Sequence, residues 1–198
     1  DPSLLVPRFH EAGIKVLGMA GSARNALRQK KAGVDIVVAQ GYEAGGHTGR
    51  VANFVLIPEV MDAVAPTPVV AAGAIADGRT IAASLSLGAV GVWCGTAFLF
   101  ASENAISEGK RAQLLQGATE DFIVTRAYTG KTARDYKNPV IDRWEQSGLE
   151  ALPMPLQGVL TGDFAEAARI ADRWDLVNNP AGQVAGRLKK IKPAKQIV

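Results

Sequence analysis

Four short runs rich in β-branched and small apolar residues recur in the first half of the chain: "IKVLGM" (14–19), "VDIVVAQ" (34–40), "PVVAAG" (68–73) and "VGVWCG" (90–95). They alternate little between apolar and polar positions, the pattern of strands buried on both faces, as parallel strands are. Segments with helical spacing lie between them at 22–32, 58–65 and 77–87. Ser22 can cap the first and Gly33 end it, Pro58 suits the first position of the second, and Asp77 can cap the third with Gly88 closing it. The order βαβαβαβ predicts adjacent parallel strands with helices outside the sheet. After Thr96 the pattern changes. One helix is predicted over 104–115. Another is predicted over 163–174, where Asp163 and Glu166 are spaced as a capping box and Phe164, Ala167, Ala168 and Ala171 share a face. "FIVTRAYTGKTARDYKNP" (122–139) mixes strand-like and turn residues without a clean period, and "VNNPAG" (177–182) marks a turn or loop. No domain boundary is evident over 10–120, and residues 121–198 read as an appended C-terminal segment of the same domain.

Composition narrows the classes. An apolar fraction of 47% over 198 residues is ample for a packed core. No apolar run approaches the ~20 residues that span a bilayer, and no signal peptide opens the chain. A single cysteine excludes an internal disulfide framework and any multi-cysteine metal site, so no metal is expected, and it fits a reducing compartment such as the cytoplasm. The net charge of +3 is small, and its basic residues gather in "GRLKKIKPAKQ" (186–196). Lysines interleaved with glycine and proline, without aromatics, describe a solvated tail rather than a nucleic-acid arm.

Candidate chemistry gathers where the strands end. "AQGYEAGGHTG" (39–49) sets four glycines around His47, one of two histidines in the chain. Three of the four strands run into glycine: Gly41, Gly73 and Gly95. In parallel α/β folds, open or closed, ligands sit beyond the carboxyl ends of strands. Glycine there frees φ and lets N–H groups turn toward a ligand. "AAGAIADGR" (71–79) and, one strand later, "CGT" (94–96) give two glycine turns on neighbouring strands, which is how a phosphate is held between the last two strands of a (β/α)8 barrel. No G-x-G-x-x-G opens a helix and no P-loop occurs. His47, with an ordinary pKa near 6.5, can take a proton at neutral pH. His10 reads as a surface helix residue and Cys94 as a buried structural thiol. Glu43 can orient His47 or face solvent. Arg126, Lys131 and Arg134 either line the mouth of the site or form a solvated face.

These stretches, with "VLIPEVMDAV" (55–64), "PVVAAGAIADGRTIAASLSLGAVGVWCGTAF" (68–98) and "TRAYTGKTAR" (125–134), resemble the nitronate monooxygenases, formerly 2-nitropropane dioxygenases. The resemblance spans roughly residues 10 to 140. It implies an FMN-bearing (β/α)8 TIM barrel of which this chain carries strands five to eight plus C-terminal helices. It places His47 as the active-site histidine. Gln40, Gly45 and Gly46 then border the isoalloxazine, Gly73 and Ala74 form one half of the phosphate site, and Gly95 and Thr96 form the other. Ala74 departs from the usual glycine pair, so either its backbone lies where alanine is at ease or the phosphate contact is altered. Met19 stands where some relatives carry lysine, so no cationic flavin partner is expected there. A complete barrel takes about 250 residues and half a barrel leaves open strand edges. The N-terminal half is therefore expected to be missing from this chain, in keeping with the lack of an initiator methionine. The expected activity is oxidation of alkyl nitronates or nitroalkanes with oxygen, His47 acting as base or substrate-positioning group. The alternative is an NAD(P)H-dependent FMN reductase of enoyl-, quinone- or acyl-CoA type on the same fold, with a non-catalytic flavin-binding fragment as a third option. Partners are a small-molecule substrate and oxygen or NAD(P)H, with no nucleic acid and no membrane; a homo-oligomer is compatible with the sequence.

Overall fold

The computed structural model describes residues 2–197. In chain order the regular elements begin with α1 (Pro2–Glu11), β1 (Leu17–Ala20), α2 (Ala23–Lys31), β2 (Ile36–Gln40) and the two-residue β3 (Gly46–His47). They continue with α3 (Asn53–Val64), β4 (Val69–Ala72), α4 (Gly78–Ser86), β5 (Gly91–Trp93) and α5 (Glu108–Gln116). The last are β6 (Phe122–Thr125), β7 (Ala133–Tyr136), α6 (Pro139–Ser147) and α7 (Leu156–Ile170). They form two compact units. The first runs to Ala44 and resumes over Thr48–Cys94; the second joins Gly45–His47 to the chain from Gly95 onward.

In the first unit the four expected strands pair in the order β1-β2-β4-β5, all parallel. Register brings Ala39 opposite Ala71 and Gln40 opposite Ala72, so β2 and β4 end level. Val37, Ala39, Val69 and Ala71 pack in one buried cluster with Ala26 of α2 and with Leu56, Ile57, Val60 and Val64 of α3. Burial on both faces holds for the central strands. It fails for the outer β1, where Leu17 and Met19 are exposed while Gly18 and Ala20 are covered. Ser22 caps α2 by accepting from the Asn25 N–H, and Asp77 caps α4 in a reciprocal box with Thr80. Gly33 and Gly88 follow their helices at φ +86° and +102°, the left-handed geometry that closes a helix without Cβ strain. Pro58 does not open its helix. It lies inside α3, which starts five residues earlier, because Asn53, Leu56, Ile57, Val60 and Val64 bury one continuous stripe.

The second unit holds what the period concealed. Residues 122–139 contain an antiparallel hairpin of β6 and β7, to which β3 adds as a third strand: Gly46 lies opposite Arg134 and His47 opposite Ala133. The helix expected from 104 starts at Glu108 with Ser107 as its cap, while Asn104 turns its side chain to Ile106 N and Phe98 O. The expected capping box at Asp163 and Glu166 lies within α7, which begins at Leu156. Its first turn is pinned by fully buried Gln157, which donates to Ala127 O and accepts from Leu152 N. No helix among the described residues is long and apolar enough to cross a membrane.

Candidate functional site

At the carboxyl end of the parallel strands, the backbone of the first unit makes two turns tied to each other. After Gln40, the Gly41 N–H donates to Ala72 O. A Cβ on Gly41 would fall 2.2 Å from Asn53 Oδ1, so this glycine exists to admit Asn53. Asn53 Nδ2 donates to Gly73 O at 2.7 Å. Its backbone N–H, at the first turn of α3, donates to the Glu43 carboxylate at 3.1 and 3.2 Å. Glu43 thus neither orients His47 nor simply faces solvent; it caps a helix. Gly73 has φ +94° and Ala74 φ +59°. Ala74 therefore sits in the left-handed region rather than where alanine is at ease, keeping a glycine-like turn at a strain of about 1–2 kcal/mol.

In the second unit two of the candidate residues, Gly45 and Thr96, meet one short segment, Ala181–Gly182. A Cβ on Gly45 would lie 2.5 Å from the Ala181 carbonyl carbon and from Gly182 N, so Gly45 is needed for backbone contact. The Gly182 N–H donates to Thr96 Oγ1 at 2.9 Å. Gly46 follows at φ +67°. Gly95 differs. Its φ of −100° suits any residue, and a Cβ there would meet nothing within 4 Å. Neither packing nor backbone geometry within the protein requires glycine at 95, and the space beside it is open.

His47 is exposed on β3, with Nε2 3.0 Å from Thr129 Oγ1. The Thr129 hydroxyl gives its hydrogen to Lys131 O at 3.0 Å and accepts from Lys131 N. The Thr129 hydroxyl thus ties the imidazole to the Lys131 backbone. Partial burial, helped by the Lys131 ammonium, lowers the histidine pKa and favours the neutral, basic form. The loop that carries Thr129 is itself over-determined: Gly130 has φ +75°, and a Cβ there would lie 1.9 Å from Leu152 O.

The three basic residues near this loop separate. Arg126 donates to Gly130 O, Lys131 is exposed, and Arg134 is buried with Nη1 donating to Phe122 O. Arg134 is thus structural, neither a mouth residue nor a solvated one. Cys94 is half-buried, and burial pushes its thiol up, leaving it protonated at neutral pH. An open apolar groove lined by Pro139, Trp144, Phe164 and Leu176 includes none of the candidate residues. Sequence reasoning missed Asn53, Thr129 and Gly182. Asn53 was hidden because the helix was started at Pro58, and the other two because neither side of their contacts has a local signal.

The model of the nitronate monooxygenase family matches residues 1–198. The chain belongs to the nitronate monooxygenase family. It is 43% identical, over its full length, to a Mycobacterium tuberculosis protein named as a monooxygenase, of which it covers 54%. It is 38% identical to a Staphylococcus aureus protein named as a probable nitronate monooxygenase, covering 98% of this chain and 57% of that one. Among solved structures, FabK from Thermotoga maritima matches 99% of the chain at 33% identity and a TM-score of 0.87, with 62% of its own length covered. Nitroalkane oxidase from Streptomyces ansochromogenes matches 98% at 31% identity and a TM-score of 0.89, with 58% covered. The chain thus spans little more than half the length of the curated relatives it matches. Its α/β succession is that of part of a (β/α)8 barrel.

Proposed function

We propose that this chain is part of an FMN-dependent oxidoreductase that oxidises alkyl nitronates and nitroalkanes with oxygen, in which His47 is the base. Residues 1–198 are read as one portion of its flavin-binding domain, the rest of the barrel lying in sequence these relatives have and this chain does not cover, and the protein as cytoplasmic. The observation that carries the proposal is the state of His47: held at Nε2 by Thr129 and shifted toward its neutral, basic form. A carbon acid such as a nitroalkane gives up its α-proton to such a group.

The residues present fit FMN. Gly73 and Ala74 form a turn of positive φ after β4, and Gly95 leaves open the space its Cβ would fill. Gly73, Ala74, Gly95 and Thr96 are proposed to hold the phosphate, and Gln40, Gly45 and Gly46 to border the ring. When bound, FMN supplies the redox chemistry, taking electrons from the organic substrate. Everything else falls to the protein: Asp77 and Thr80 fix the helix after the first turn, Gly182 fixes Thr96, and the His47 imidazole accepts the proton.

The test compares two substrates in the intact, FMN-loaded protein. In His47→Asn, turnover of neutral nitroalkanes falls by about two to four orders of magnitude, the usual contribution of a positioned base. Pre-formed nitronates, which have already lost that proton, are slowed much less. Near-wild-type rates on both would remove His47 from the mechanism. A second reading on the same fold is an NAD(P)H-dependent FMN reductase, the chain being as similar in fold to FabK as to nitroalkane oxidase. Reduction of the bound flavin by NADH or NADPH alone, without oxygen, selects that reading.

A further inference from the structure

We infer that Asn53 is a positioning residue that presets the Gly73–Ala74 turn for the phosphate of the flavin, a role that rests on the flavin-site reading above. The turn is strained. Gly73 at φ +94° is followed by an alanine at φ +59°, and two successive residues of positive φ need an external tie to persist. Asn53 supplies it. Its Nδ2 donates to Gly73 O at 2.7 Å, and because a carbonyl can only accept, that contact fixes which way the amide points. Oδ1 then lies against Gly41, where a Cβ would come within 2.2 Å, and it is buried without a hydrogen-bond partner.

Leaving a buried amide oxygen unpaired costs free energy that packing alone does not demand. A residue kept at that cost is kept for its other end, the donor to Gly73. Asn53 is in turn held by Glu43, whose carboxylate takes its backbone N–H. The chain of bonds Glu43 to Asn53 to Gly73 therefore couples the loop after β2 to the turn after β4. An anion meeting that turn finds its N–H groups already oriented, with the ordering cost met in the folded protein.

The test uses the intact protein, stripped of flavin and titrated with FMN and with riboflavin, which lacks the phosphate, alongside amide exchange at Gly73 and Ala74 in the flavin-free state. In Asn53→Ala, FMN affinity falls about tenfold to a hundredfold, the scale of one buried hydrogen bond lost with its acceptor left unpaired. Riboflavin affinity holds within about twofold, and exchange at the turn accelerates. Asn53→Asp keeps the shape but offers no donor when ionised, so its FMN affinity, divided by that of the wild type at each pH, recovers as the carboxyl protonates and again donates to Gly73 O. The Ala variant shows no such recovery. Equal losses of both flavins, or no loss of FMN, would overturn the assignment. If the wild type binds neither flavin, the flavin reading itself fails; unchanged exchange in Asn53→Ala would separately remove Asn53 as the tie.

Discussion

At His47 the protein sets both a ring position and a proton affinity. Thr129 Oγ1 lies within hydrogen-bond distance of Nε2, and partial burial with the Lys131 ammonium lowers the pKa from 6.5. With His47 as the proposed base, a depressed pKa keeps it active down to a lower pH, so the acid limb of kcat/KM for a neutral nitroalkane is expected below 6.5. Lys131→Met removes a repelling charge, and the limb should move to higher pH in a pH–rate profile; an unmoved limb would mean that the charge is not felt. Ala74 supplies a second prediction at this scale. Glycine relieves its positive φ but loosens the unfolded chain, so Ala74→Gly should stabilise by about 1 kcal/mol or less, read as a rise in thermal midpoint. His47 was legible in the sequence because a histidine among glycines at a strand end is rare. Ala74 was legible as a departure, but not its outcome, since only the backbone shows that the turn was kept and the strain accepted.

Among the elements, β7 carries the most unusual side chain. Asp135 is 3% exposed, its Oδ1 has no partner, and burial raises its pKa to about 6 despite the Asn179 N–H and the Lys110 ammonium. A carboxyl whose folded pKa exceeds its unfolded value of 3.8 binds its proton more tightly when folded. Stability should therefore fall as pH rises from about 4 through about 6 and then level off. Asp135→Asn keeps the shape without the charge. It should raise stability above pH 6 by on the order of 2–3 kcal/mol and leave it little changed near pH 4, as measured by denaturant melts at the two pH values. The hairpin that carries Asp135 escaped the sequence reading for a physical reason. β3 and β7 pair across more than eighty residues, and β3 is only two residues long, too short to show a period. The parallel strands were legible because each is a local apolar run followed by its own crossover helix. Helix starts were less so: a proline offered a starting point for α3, but the buried stripe from Asn53 to Val64 outweighed it. Gly45→Ala would place a Cβ against the Ala181–Gly182 backbone, so β3 should detach from β7. Faster amide exchange at Ala133 and Arg134 would register this; unchanged exchange would mean that the 181–182 segment simply yields.

For the whole molecule, the chain holds the β2 and β4 turns and the His47 strand of a family whose curated members are nearly twice its length. Each set of candidate residues is built around glycines whose missing Cβ has a separate reason: admission of Asn53 at Gly41, backbone contact at Gly45, positive φ at Gly73, and open space at Gly95. The last two are the ones proposed to meet the phosphate. The sequence could not tell these reasons apart, because one residue type serves all four. The central claim is that these turns serve a flavin whose electron donor is a nitronate. It is tested most directly by mixing the FMN-loaded intact protein, without oxygen, with propionate-3-nitronate, NADH or NADPH in turn and following the flavin absorbance. The account predicts bleaching by the nitronate and none by either nicotinamide. Bleaching by NADH or NADPH with no response to the nitronate would contradict it.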